Sequence, residues 1–154
     1  MIIRKATIQD AKIIAENNIS LAFETENRKM DKSTVQNGVK AVFSDRQNGF
    51  YLVAENENNI IGQLFITQEW SDWRNAVIWW MHRIYVKKPW RKKGVLTSLL
   101  LKMKQMAIEE EVYALRLYAF NKNEKAIAIY KKLGFTNTSF IILGKKIVNY
   151  DNCI

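Results

Sequence analysis

Residues that punctuate or cross-link a chain are scarce in these 154 positions: one proline, one cysteine, one histidine and six glycines. A lone cysteine, Cys153, excludes an internal disulfide framework, and one histidine with one cysteine cannot build an ordinary zinc site, so no metal is expected. Apolar runs are broken by Asn, Lys or Glu well short of bilayer-spanning length, and residues 1–5 lack the apolar stretch of a secretory leader. The chain therefore reads as cytoplasmic, with no membrane association. Repeats and low-complexity segments are also absent, which leaves a single domain over 1–154, large enough for a real core at 48% hydrophobic residues.

Positive charge is in excess. The formal net charge is +9, which admits nucleic acid, an anionic surface or a polyanionic small ligand as partner. Nucleic acid is disfavoured, because the basic clusters carry no interleaved aromatics and no recognisable nucleic-acid motif. Part of the excess, at Lys102, Lys104, Lys131, Lys132, Lys145 and Lys146, reads as solubility. A denser cluster, Lys87, Lys88, Arg91, Lys92 and Lys93, surrounds the only proline.

That cluster lies in the stretch around which the chain is organised, residues 84–103. Pro89 has no N–H to give a ladder and stops the strand before it, and Gly94 allows a tight turn and a close backbone approach to a ligand. Leu96, Leu99, Leu100, Met103 and Ala107 then recur at helical spacing. The first N–H groups of such a helix are free and point over the Arg91–Gly94 turn, where the helix dipole favours a diphosphate without any metal.

The flanking chain reads as alternating elements. Residues 2–6 form a short edge strand, and Thr7 with Asp10 has capping-box spacing before a helix with Ala11, Ile14, Ala15, Leu21 and Ala22 on its apolar stripe. Asp31 caps a second helix carrying Val35, Val39, Val42 and Phe43. Residues 49–54 and 60–67 pair as a hairpin, 76–86 is a buried central strand, and 112–120 another strand. A short helix over 123–133 ends at Gly134, and a last strand runs from Thr136 to Leu143.

Two motifs carry a resemblance. Arg91-x-x-Gly94-x-Leu96 between strand and helix resembles the acetyl-CoA signature of the GNAT N-acetyltransferases, with Leu96 where the family usually has a small residue. Asn123, Ala126, Tyr130, Gly134 and Phe135 resemble the family's C-terminal signature, Asn-x-x-Ala-x-x-x-Tyr-x-x-x-Gly-Phe. Pattern alone supports a mixed sheet covered by helices. The resemblance implies the α/β (α+β) GNAT fold: a mostly antiparallel sheet of six to seven strands, splayed between two central parallel strands, with about four helices.

The same resemblance implies acetyl-CoA as co-substrate and direct attack by a primary amine. It places backbone of Ile84, Tyr85 and Val86 against the pantetheine, Arg91, Lys92, Lys93, Gly94, Val95 and Leu96 around the diphosphate, and Asn123, otherwise a helix cap, near the pantetheine arm. Tyr130 matches the family's acid. The base is less direct: twelve residues ahead of Tyr130, where some members have glutamate, stands Tyr118, which cannot serve as the base at neutral pH, so that base is absent. Glu69, beside Trp70 and Trp73, is the expected replacement, with an ordered water as competitor, and His82 on its apolar strand reads as a core histidine. Glu24, Glu26, Trp70, Asp72 and Trp73 are expected to wall an acidic, aromatic acceptor cleft for a small-molecule or peptide amine. A coenzyme-A-binding regulatory domain without turnover and a basic nucleic-acid module are the alternatives, and a homodimer is left open.

Overall fold

The computed structural model describes residues 1–147, and Cys153 lies outside them. Two compact units divide the chain after Tyr118. In the first, five strands lie in the order β1-β2-β3-β4-β5: β1 (Ile2–Lys5), β2 (Phe50–Asn56), β3 (Asn59–Ser71), β4 (Ala76–Val86) and β5 (Ala114–Leu117). The first four pair antiparallel and β4 pairs parallel with β5. Helices α1 (Ala11–Glu26), α2 (Lys32–Ser44) and α3 (Val95–Glu109) complete this unit, and α4 (Glu124–Lys132) lies in the second.

Local chemistry sets each boundary. The Asp10 carboxylate accepts the Thr7 N–H at 2.8 Å and pairs with Arg4 at 2.7 Å, so the start of α1 is tied to β1 as the capping-box spacing predicts. The hydrogen bond from Arg4, acting against burial, holds the Asp10 carboxyl below its ordinary range. Asp31 accepts the Thr34 N–H at 2.7 Å and starts α2. Between β2 and β3, Glu57 and Asn58 both have positive φ, as a two-residue hairpin turn of matching twist requires.

The strand period of two gives the sheet two faces. On one, α1 and α2 bury Ile14, Ala15 and Val39 against Tyr51 and Val53. Three amide side chains link up across this layer: Asn17 donates to Gln63 at 2.8 Å, and Gln63 donates to Asn18 at 2.8 Å, so the buried amides of Asn17 and Gln63 are satisfied. On the other face α3 buries Val95, Leu99, Leu100, Met103, Met106 and Ala107. The apolar stripe thus begins at Val95 rather than at Leu96, which is only half-buried.

Gly49 supports this packing directly. Its φ is +98°, and a Cβ there would lie 2.1 Å from the Ile66 carbonyl oxygen. Gly49→Ala combines left-handed strain with a backbone clash and is expected to cost at least about 2 kcal/mol, seen as a Tm drop of roughly 5–8 °C by calorimetry.

Two expectations need correction. β3 continues past the expected end at 67 to Ser71, which puts Glu69 and Trp70 on the strand, because the ladder to β4 runs on through Ser71↔Ala76. Residues 136–143 form no strand, so the sheet has five strands among the described residues instead of six or seven. Phe140, Ile141 and Leu143 are each at least 80% exposed. An apolar run favours a strand only where a ladder partner exists, and this segment pairs with no strand among the described residues.

Candidate active site

The site is built from the end of β4. Parallel pairing with β5 stops at Met81↔Leu117, yet β4 runs on from His82 to Val86 with no β5 partner, so the two strands part there. Opposite, β3 contributes only Leu64 between the pairs Gln63↔Tyr85 and Phe65↔His82, where β4 contributes Arg83 and Ile84. This is a bulge. Arg83 takes φ +49° to accommodate the extra residue, and the bulge bends β4 where it leaves β5.

Beyond Val86 a single 3-10 turn over Lys88–Trp90 and the Arg91–Gly94 turn lead into α3. Lys92 and Gly94 have φ of +60° and +79°. No side chain caps α3, so its first N–H groups have no side-chain acceptor. A Cβ on Gly94 would meet nothing within 4 Å. Lys92, Lys93 and Gly94 are exposed around this open helix start. An anion such as a diphosphate fits: donors, dipole and positive charge converge on free space.

Arg91 is occupied differently. Its Nε donates to the Val86 carbonyl at 2.8 Å and one terminal nitrogen donates to Glu24 at 2.6 Å. The guanidinium therefore clamps the end of β4 to the end of α1, while the backbone of the turn faces outward. Tyr85, 8% exposed, donates its hydroxyl to Glu24 at 2.9 Å. Burial opposes the Glu24 charge, but the Arg91 and Tyr85 hydrogen bonds outweigh it and lower its pKa; burial and Glu24 together raise that of Tyr85.

The expected acceptor cleft is not assembled. Glu24 stands against Tyr85, whereas Trp70 pairs with Val77 at the other end of β4. Eight residue steps along β4 separate Val77 from Tyr85, about 25 Å. Glu26 lies 3.9 Å from Arg28, and Asp72 turns back to its neighbour's N–H at 2.9 Å. Trp70 and Trp73 are 61% and 89% exposed in and beside the hairpin turn, so they wall nothing with Glu24. The two carboxylate-bearing segments sort to opposite ends of one strand, and Glu24 and Glu26 each stand beside cations.

Glu69 is also committed. It accepts from the indole N–H of Trp80 and from Arg116 at 3.3 Å. Instead, the face of the sheet beside the parting strands brings together Thr67, Trp80, His82, Arg116 and Tyr118 with Glu69. Aromatic contacts run across it from Tyr51 to Phe65 at 4.6 Å, from Phe65 to His82 at 5.8 Å and from His82 to Tyr118 at 5.3 Å. The sequence signal for this grouping was the period of two: positions 67 and 69, 80 and 82, and 116 and 118 share one face.

In the second unit, Asn123 caps α4, its Oδ1 accepting the Ala126 N–H at 3.2 Å. Tyr130 lies edge-on to Phe135 with ring centroids 6.3 Å apart. Burial pushes the Tyr130 hydroxyl up to about 12, so it holds its proton at neutral pH.

Residues 15–135 match the model of the acetyltransferase (GNAT) family. A possible acetyltransferase from Clostridium difficile is similar over 96% of this chain and 97% of its own, with 32% identity and a TM-score of 0.89. A ribosomal-protein-alanine N-acetyltransferase from Brucella melitensis biovar Abortus shares the fold at 20% identity and a TM-score of 0.76, covering 94% of this chain and 99% of its own. An aminoglycoside acetyltransferase from an uncultured soil metagenomic sample does so at 17% identity and the same TM-score, over 96% and 95%. A five-stranded sheet parting at β4 and β5, an uncapped α3 behind a glycine turn, and a family match over most of the sequence agree: this chain belongs to the GNAT acetyltransferase family.

Proposed function

We propose that this protein transfers the acetyl group of acetyl-CoA to a primary amine, on a small molecule or a peptide, by direct attack within a ternary complex. The observation that carries the reading is the open start of α3, where unpaired amides, Gly94 and two lysines converge at the end of the strand that leaves β5. Bound there, acetyl-CoA would supply an activated thioester; its phosphates carry about four negative charges, which suits this cationic turn.

The chain's own residues divide the work. The amides following Gly94 hold the diphosphate, with Lys92 and Lys93 adding charge, and Arg91 keeps the turn in place through Val86 and Glu24. Strand end Ile84–Val86 is assigned to the pantetheine and Asn123 to its arm. Tyr130 is assigned to the sulfur of the departing thiolate. A phenol near 12 is a weaker acid than a thiol near 8.5, so its contribution is a hydrogen bond to developing negative charge more than complete proton transfer. The acceptor amine is assigned to the sheet face beside the parting strands.

Binding can be checked without knowing the amine. Acetyl-CoA at a hundred times its Kd is expected to stabilise the fold by about 2.7 kcal/mol, read as a thermal shift. No shift with acetyl-CoA or coenzyme A at millimolar concentration would remove the basis of the reading.

A further inference from the structure

We infer that His82 takes up the proton of the acceptor amine through the hydroxyl of Tyr118, at the point where β4 and β5 separate; the inference rests on the acetyltransferase reading above. His82 and Tyr118 are the first residues past the last ladder pair, Met81↔Leu117, so their side chains stand at the opening itself. Nδ1 of His82 lies 3.1 Å from the Tyr118 hydroxyl, and Nε2 lies 2.8 Å from Oγ1 of Thr67.

A neutral imidazole has one donor and one acceptor nitrogen, and a phenol is a stronger acid than an aliphatic alcohol. Either tautomer satisfies all three groups, and the greater acidity of the phenol favours the one in which Tyr118 donates to Nδ1 and Nε2–H donates to Thr67. Tyr118 is 51% exposed and His82 only half-buried behind it. The phenol is thus the outward end of the relay.

In the proposed step an ammonium on the acceptor gives a proton to the Tyr118 oxygen as that oxygen passes its own proton to Nδ1. Tyr118 ends neutral, His82 ends as imidazolium bonded to Thr67, and the free amine lone pair attacks the thioester carbonyl; the C–N bond forms, the C–S bond breaks, and the second proton shed by the attacking nitrogen goes to the departing thiolate, giving the amide and coenzyme A as its neutral thiol. The obstacle noted for Tyr118, that a phenol is no base at neutral pH, does not arise, because the relay never leaves it charged.

The surroundings leave the imidazole free to accept. Burial, and the neighbouring charge of Arg83, hold His82 below its ordinary 6.5, so the ring is neutral near pH 7. On the same face Glu69 is paired with Arg116, and the ring's remaining neighbours, Phe65 and Thr67, carry no charge.

The test uses the full-length protein with acetyl-CoA and spermidine, kanamycin and an alanine-terminated peptide as amines, following thiol release against pH. Because His82 is the chain's only histidine, its NMR titration is unambiguous. The wild type is expected to show an acid limb in kcat/KM whose midpoint lies below 6.5 and coincides with the NMR midpoint. His82→Gln is expected to lower kcat by about 10²–10⁴-fold and to abolish that limb, with KM for acetyl-CoA unchanged. The deficit shrinks as pH approaches the amine's own pKa. Tyr118→Phe is expected to lower kcat while the His82 titration persists.

An acid limb that does not match the NMR midpoint, or a His82→Gln profile identical to wild type, overturns the inference while leaving the acetyltransferase reading intact. Should His82→Gln fail to fold, the comparison of limb and midpoint in the wild type still decides. Absence of both an acetyl-CoA thermal shift and thiol release with every amine overturns the parent reading, and the inference with it.

Discussion

Tyr130→Phe is expected to lower kcat by about 10²–10³-fold, the scale of one lost hydrogen bond to developing charge, while leaving the fold and the affinity for acetyl-CoA unchanged. The variant deletes one oxygen from a half-buried ring and leaves the ring that lies edge-on to Phe135. No protein hydrogen bond to that hydroxyl occurs among the described residues, so little stability rests on it. What is lost is the hydrogen bond assigned to the departing sulfur. Stopped-time thiol-release assays at saturating acetyl-CoA, with calorimetry of the same sample, separate the two roles: an unchanged kcat would make Tyr130 a packing residue.

Gly94→Val is expected to abolish acetyl-CoA binding at concentrations that saturate the wild type, whereas Lys92→Ala is expected to weaken it several-fold. The reason is conformational and not a matter of room, since a Cβ at 94 meets nothing within 4 Å. At φ +79° a β-branched residue is strained by about 1–3 kcal/mol, and relief of that strain re-aims the amides at the start of α3. The side chain would also stand in the open space assigned to the diphosphate. Lys92 is one of several exposed cations, and screening limits what any single one contributes. Equal losses from the two variants, measured by calorimetric titration, would mean that simple charge attraction holds the coenzyme.

These expectations follow from parts of the chain that were legible before folding. β4 matches the expected 76–86 strand, α2 starts at its Asp31 cap, and α3 follows the glycine turn, because caps, turn residues and apolar periodicity are local signals. Arg91 was legible as a cation in the turn, but not as the clamp between Val86 and Glu24, since Glu24 is 67 residues away in sequence. The relay was illegible for the same reason. Position 82 read as core and position 118 as a missing base, and only the parallel register of Met81 with Leu117 puts them beside one another. Segment 136–143 shows the converse: its apolar residues looked like a strand, although nothing local specifies a partner for one.

The reaction proposed for this chain moves an acetyl group from acetyl-CoA to an amine nitrogen. The most direct measurement incubates the purified protein with isotopically labelled acetyl-CoA and the three amines named above, then follows label by mass spectrometry. Labelled N-acetyl product is expected from at least one amine, formed one-for-one with free coenzyme A and lost in Gly94→Val. Coenzyme A released at the wild-type rate with no labelled amine, or label transferred equally well by Gly94→Val, would contradict it.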